Sequence, residues 1–185
     1  DTKHTLKASP NLLNREFQRD RPNKVWVSDI TYLPSRAGWL YLAVFIDLFS
    51  RRVVGWCVSP SLGHETVLVA LSHAVWQKRP NPGLMIHSDR GIQYCCEGFR
   101  EAIHKNQFVQ SMSRKANCWD NAVAESFFRS LKTEWLYHLD LIDLDHAKRK
   151  LFAYIEMFYN NQRLHAYLDY VSPAAFERLK TQKVA

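Results

Sequence analysis

Three runs of the chain, VWVSDITYL (25–33), AGWLYLAVFIDL (37–48) and RRVVGWCVS (51–59), succeed one another with only PSR and a turn after FS between them. Each is rich in Val, Ile, Trp, Tyr and Leu, the composition of half-buried or buried strands. Connections this short join antiparallel neighbours, because a parallel crossover takes a dozen residues or more. The sequence therefore commits its first third to an antiparallel meander.

After the third run the rhythm changes. HETVLVALSHAVWQKR repeats apolar residues at 67, 68, 71, 74 and 75, a helical period closed by RPNPG. LMIHSD reads as a short buried strand that stops at an acid, EGFREAIHKN as a helix, and FVQSM as another short strand. A polar loop, SRKANCWDN, leads into a helix that carries Glu125. Residues 143–162 and 173–180 give two further helices, the last opened by Pro173. Three antiparallel strands and then alternating helices and strands predict an α/β fold, a mixed sheet flanked by helices with a C-terminal helical extension. No internal repeat interrupts the pattern. We divide the chain into an arm at 1–22, polar and basic with isolated Leu12, Leu13 and Phe17, a core at 23–137, and the extension at 138–185.

A hydrophobic fraction of 46% in 185 residues suits a folded domain and excludes wholesale disorder. The net charge of +7 favours an anionic partner, nucleic acid before membrane. No apolar run approaches a membrane span, and no signal peptide opens the chain. Cys57, Cys95, Cys96 and Cys118 form no CxxC pair, which suits structural thiols in a reducing cytosol.

Asp29 is the first acid out of place. In VWVSDITYL it shares a side with Val25, Val27 and Leu33, where a lone carboxylate is costly unless a cation meets it. Asp89 ends the LMIHSD strand, where α/β folds display chemistry, although Asp before Arg-Gly is also ordinary turn punctuation. Glu125 precedes two phenylalanines, Phe127 and Phe128, with Arg129 and Lys132 on its own helical face at i+4 and i+7. Alone, each has a structural explanation. Together they are oxygen ligands from a strand centre, a strand end and a helix, the convergence that a pair of Mg2+ or Mn2+ ions needs to clamp a phosphate. Asp47 is accounted for by a turn, Asp120 with Asn121 by helix capping, and Glu134 lies about half a turn round the helix from Glu125.

WVSDITY, HSDRGIQY and NCWDNAVAESFFRSLKTE, with 35 residues between Asp89 and Glu125, resemble the DD(35)E core of bacterial insertion-sequence transposases. The resemblance is to insertion-sequence family three, whose transposase arises by programmed frameshifting, within the retroviral-integrase superfamily. It runs from about Asn11 to Phe176 and includes DLFSRRVVGW and YNNQRLH. It implies a ribonuclease H-like fold and cleavage and joining of DNA at element ends and at a target. Asp29, Asp89 and Glu125 would be catalytic and would hold two Mg2+ ions, with Mn2+ as substitute. The family's Glu and Lys separated by six residues stand here as Glu125 and Lys132. A homo-oligomer in the bacterial cytoplasm is implied, with a helix-turn-helix region for end recognition that this segment does not contain. The sequence departs from the family pattern at Ala116 and Asp169, where Gly is usual, and at Asn161, where a basic residue is common.

Lys132, Arg129, Arg114 and Lys115 are the candidate DNA contacts, the last two weighed against a merely solvated loop. His87 and Asn121 are candidates to support the acids from behind, His87 weighed against a satisfied core histidine. Trp119 reads as a hydrophobic staple before a base-stacking residue, and Lys148–Lys150 as a solvated face. Two rival functions remain at this level: an inactive transposase core kept for DNA or partner binding, and a structure-selective nuclease of the same fold.

Overall fold

The computed structural model describes residues 6–115 and 117–182, apart from the side chain of Cys118. Ala116, the start of the arm and residues 183–185 lie outside them. Strands β1 (Val25–Ser35), β2 (Gly38–Asp47) and β3 (Val53–Ser59) form the expected meander. Helix α1 (His64–Lys78) then crosses to β4 (Met85–Ser88), which runs parallel to β1, and α2 (Ile92–Cys95) and α3 (Glu97–Lys105) lead to β5 (Val109–Met112), parallel to β4. The sheet order is β3-β2-β1-β4-β5. Helix α4 (Ala122–Glu134) comes after a single 3-10 turn at Cys118–Asn121, and α5 (Leu144–Phe152) and α6 (Pro173–Thr181) complete the chain.

Alternation along β1 and β2 sorts the two layers. Val25, Val27, Leu42, Val44 and Ile46 face a core shared with Phe127, Phe128 and Leu131 of α4. Trp26, Ala43 and Phe45 face the opposite core, shared with Val67, Ala70 and Ala74 of α1 and Phe99 of α3. On that side Gly55 lets α1 approach β3, for a Cβ there would stand 2.4 Å from the Ala70 carbonyl oxygen and 2.6 Å from the Ala74 Cβ. Phe127 and Phe128 thus seat the helix that carries Glu125.

Helix α5 does not run on to residue 162 as one regular α-helix. From Ala153 to Tyr159 it widens into π geometry, with Asn160 donating its amide to the Ile155 carbonyl. The wider turn brings Tyr154, Ile155 and Tyr159 onto the buried face together. The YNNQRLH motif then closes the extension on the core. The Asn160 side-chain amide pairs with both backbone groups of Val53, each at 3.0 Å. Asp169 adopts φ 56°, the left-handed conformation that glycine takes most readily.

The arm lies along β5. Leu13 is buried in the α4-side core, Met112 donates its amide to the Pro10 carbonyl at 3.2 Å, and Leu12 and Leu13 donate theirs to Ser111 Oγ at 2.9 and 3.2 Å. Among the described residues, no helix is long and apolar enough to cross a membrane.

Candidate active site

Asp29 sits in β1 opposite Val44, on the α4 side of the sheet as its register demands. Asp89 comes directly after the last residue of β4, the strand parallel to β1. Glu125 lies in the first turn of α4. Asp29 Oδ1 accepts the Ile30 amide at 2.8 Å, and Asp89 Oδ1 accepts the Gly91 amide at 2.9 Å.

Asp29 senses both of the other acids. Burial first, then the charges of Asp89 and Glu125, raise the Asp29 carboxyl to about 7, against the pull of the Ile30 amide and the Lys132 ammonium. Burial also raises Asp89, against the Gly91 amide. A cleft of about 360 Å³ opens beside Asp29 and Glu125, lined also by Thr31, Arg129, Lys132 and Tyr137, while Asp89 stands outside its lining. Two cations and two carboxylates therefore share one wall. Among the described residues no three His, Cys, Asp or Glu side chains are drawn tightly enough together to enclose a metal ion. Asp29 lies within electrostatic reach of the other two acids, and the three form no closed cage. Their chemistry fits a hard divalent cation all the same: the donors are carboxylate oxygens, and such an ion would relieve the repulsion that raises Asp29.

The remaining candidates fall in different places. Arg129 and Lys132 line the cleft. Arg114 turns to the protein, with Nε 3.2 Å from Asp120 Oδ2 and Nη2 donating to Asn14 Oδ1 at 3.0 Å, while Lys115 is exposed in the adjoining turn. His87 is fully buried, its Nδ1 2.9 Å from Ser111 Oγ and its Nε2 3.3 Å from Ser113 Oγ, and burial lowers its pKa to about 4. Asn121 reaches behind Asp29, donating from Nδ2 to the Ser28 carbonyl at 3.2 Å, and its buried Oδ1 has no protein partner.

Two expectations are corrected. Asp120 does not cap α4: its carboxylate accepts from Asn11, Arg15 and the Arg114 amide, and the helix start has no side-chain cap. Trp119 staples nothing, being 69% exposed. Sequence reasoning also passed over Tyr94 and Tyr137. Tyr94 is buried beneath the acids, its hydroxyl 2.9 Å from Ser28 Oγ, and its pKa is raised by burial and by the charges of Asp29 and Asp89. Its place in HSDRGIQY, one motif with Asp89, was the available signal. Tyr137 had none.

The fold and this carboxylate-lined cleft define the class. A chain of the simian T-cell lymphotropic virus intasome superposes with TM-score 0.72 at 18% identity, covering 96% of this chain and 60% of its own. The HTLV-2 integrase catalytic core in complex with magnesium, in trimeric form, gives 0.63 at 18% identity, covering 85% and 97%. The fold is the ribonuclease H-like fold of integrase cores. Residues 19–118 match the integrase core domain family, and residues 125–180 match a second family of the same description. The transposase for insertion sequence IS904 of Lactococcus lactis is 42% identical over 171 residues, 92% of this chain and 68% of that protein. Transposase InsF for IS3A of Escherichia coli is 41% identical over 174 residues, 94% and 60%. The chain belongs to the DDE transposases of the IS3 family and is an insertion-sequence transposase catalytic domain, a polynucleotidyl transferase.

Proposed function

We propose that Asp29, Asp89 and Glu125 are the catalytic acids and that they hold two Mg2+ ions, with Mn2+ able to substitute, for cleavage of DNA at the element's ends and its joining to target DNA. The observation that carries this reading is the placement of Asp29 and Glu125 on one cleft with Arg129 and Lys132, with Asp89 at the end of the neighbouring parallel strand and, like Glu125, close enough to raise the buried Asp29. Bound there, the ions would activate water and then a DNA 3′-hydroxyl, and stabilise the leaving oxygen of the phosphodiester.

The protein's own groups do the rest. The three carboxylates supply the charge that binds and orients the ions. Arg129 and Lys132, on the same helical face as Glu125, lead the phosphate backbone into the cleft, and Lys115 extends this basic track along the preceding turn. Arg114 belongs to the track only to the extent that its exposed part remains available beside Asp120. His87 and Asn121 support the acids without touching DNA, His87 by tying β4 to β5 and Asn121 by tying the start of α4 to β1.

In this reading residues 1–22 are an arm, 23–137 the catalytic core and 138–185 a helical extension. The active complex contains more than one copy of the chain and works in the bacterial cytoplasm. Exposed Trp76 and Phe152, which line an apolar groove of about 1170 Å³ among β3, α1 and α5, are surface available for self-association. The decisive experiment incubates the complete protein with labelled element-end DNA and Mg2+. Nicked and joined products are expected, and nicking without joining would replace the transposase reading with that of a nuclease.

A further inference from the structure

One carboxylate that the proposed chemistry does not use is wholly buried and yet surrounded by donors. Asp120 Oδ1 accepts from Arg15 Nε at 2.8 Å, and Oδ2 accepts from Asn11 Nδ2 and from the Arg114 amide, both at 2.8 Å, with Arg114 Nε 3.2 Å away. Burial alone would raise its pKa; the Arg114 amide, the Arg15 hydrogen bond and the charges of both arginines outweigh it and hold the carboxyl below the ordinary range. Two of these partners come from the arm and one from the loop ahead of α4. The same segments are crosslinked twice more, by Arg15 Nη2 donating to Asn117 Oδ1 at 2.9 Å and Arg114 Nη2 donating to Asn14 Oδ1. A surface ion pair would contribute little, but a buried carboxylate deprived of its partners is strongly destabilised.

The position of this junction gives it a consequence. Asp120 is succeeded at once by Asn121, which ties the start of α4 to the Ser28 carbonyl next to Asp29, and five residues on stands Glu125 in the first turn of that helix. Asp120 lies in the 3-10 turn that runs directly into α4, two residues before the helix begins, so its placement sets where the first turn of α4, and with it Glu125, starts. The arm meets β4 as well: the Leu12 and Leu13 amides hold Ser111 Oγ, which holds His87, two residues before Asp89.

We infer that Asp120 is a positioning residue through which the docked arm, by Asn11 and Arg15, sets the placement of Glu125, so that release of the arm disables the reaction without unfolding the domain. The inference rests on the assignment of Glu125 as a catalytic acid. It gives the NLLNREF stretch a role that neither core packing nor DNA contact supplies.

The test is Arg15→Ala in the complete transposase, with Asn11→Ala as an independent second cut and Arg15→Lys as the conservative variant. At a temperature where each is fully folded by circular dichroism, kcat for end cleavage is expected to fall about tenfold or more, since displacements near 1 Å cost on this scale. KM for end DNA should stay within about twofold, and Arg15→Lys should recover most of the loss. Amide hydrogen exchange over residues 118–126 should quicken while that of β2 stays as in the wild type. Wild-type kcat in folded Arg15→Ala and Asn11→Ala overturns the inference, whatever the exchange shows. A rise in KM with kcat intact overturns it too, in favour of direct DNA contact by Arg15. Glu125→Gln, assayed alongside, separates the two levels: if it remains active the catalytic assignment fails, whereas if it is dead and Arg15→Ala is normal only the arm's role fails.

Discussion

Arg163 closes on Glu134 from the far side of the domain, its Nε 2.9 and 2.8 Å from the two carboxylate oxygens, while Nη2 donates to Ser130 Oγ at 3.2 Å. Tyr154 adds a hydroxyl donor to the same carboxylate at 3.1 Å. The last turn of α4 is thereby fastened to the C-terminal extension, at the opposite end of the helix from Glu125.

This junction should be visible in acid. The Arg163 hydrogen bond, with its charge and the Tyr154 hydroxyl, holds the Glu134 carboxyl below the ordinary value despite partial burial. A depressed folded-state pKa gives stability that is present above the unfolded value, near 4.3, and lost as pH falls through the folded one. Glu134→Gln should therefore cost about 1 kcal/mol at pH 7, a charge-assisted bond discounted for solvent access, and less at a pH well below the unfolded value. Urea unfolding at the two pH values measures the difference; an equal cost at both would mean the pair is held by shape alone.

Gly55→Ala tests the packing of α1 on β3. A methyl group there meets backbone and side chain of α1 inside contact distance, so the helix must shift. Overpacking of this kind costs about 1 to 3 kcal/mol. The urea midpoint should fall with an unchanged m-value.

Asp29→Asn, Asp89→Asn and Glu125→Gln should each abolish cleavage and joining together, by roughly 10³-fold or more, with the fold retained. Near-normal activity in any one would take that residue out of the site.

Removing a charge from the site should also change its response to metal. Mg2+ or Mn2+ should raise the melting temperature of the wild type, by an amount that corresponds to about 2.7 kcal/mol at a hundredfold excess over Kd. Asp29→Asn would take away one of the proposed ligands and part of the repulsion among the acids. Its melting shift should be smaller, and equal shifts would count against metal binding at Asp29.

Lys132 lines the cleft beside Asp29 and Glu125. If it meets phosphate, Lys132→Ala should weaken end-DNA binding in Ca2+ and reduce the slope of log affinity against log salt by about one. An unchanged slope would leave it as surface charge.

The legible part of this molecule was what local pattern encodes. Period-two alternation gave the meander, and the same alternation exposed Asp29 as an acid on an apolar face, the face on which it is found. Asp120 was misread because capping is a rule about neighbours, while its partner Arg15 is 105 residues away. Helix α2 escaped notice because four residues carry no period, and the π turns after Phe152 because an apolar repeat does not announce one extra residue per turn. Arg163 with Glu134 and Asn160 with Val53 were invisible for the same reason as Asp120, since nothing local says where a long polar side chain will find its partner.

The arm's course along β5 bears on which contacts copies of the chain can make with one another. β5 ends the sheet, and an uncovered end strand offers a row of free amides and carbonyls to any other chain that can extend against it. Pro10 takes the Met112 amide, and Leu12 and Leu13 spend theirs on a side chain, Ser111. A proline on that border cannot donate an amide to a further strand. At this edge of the sheet the arm thus occupies the place that a strand from another copy would need.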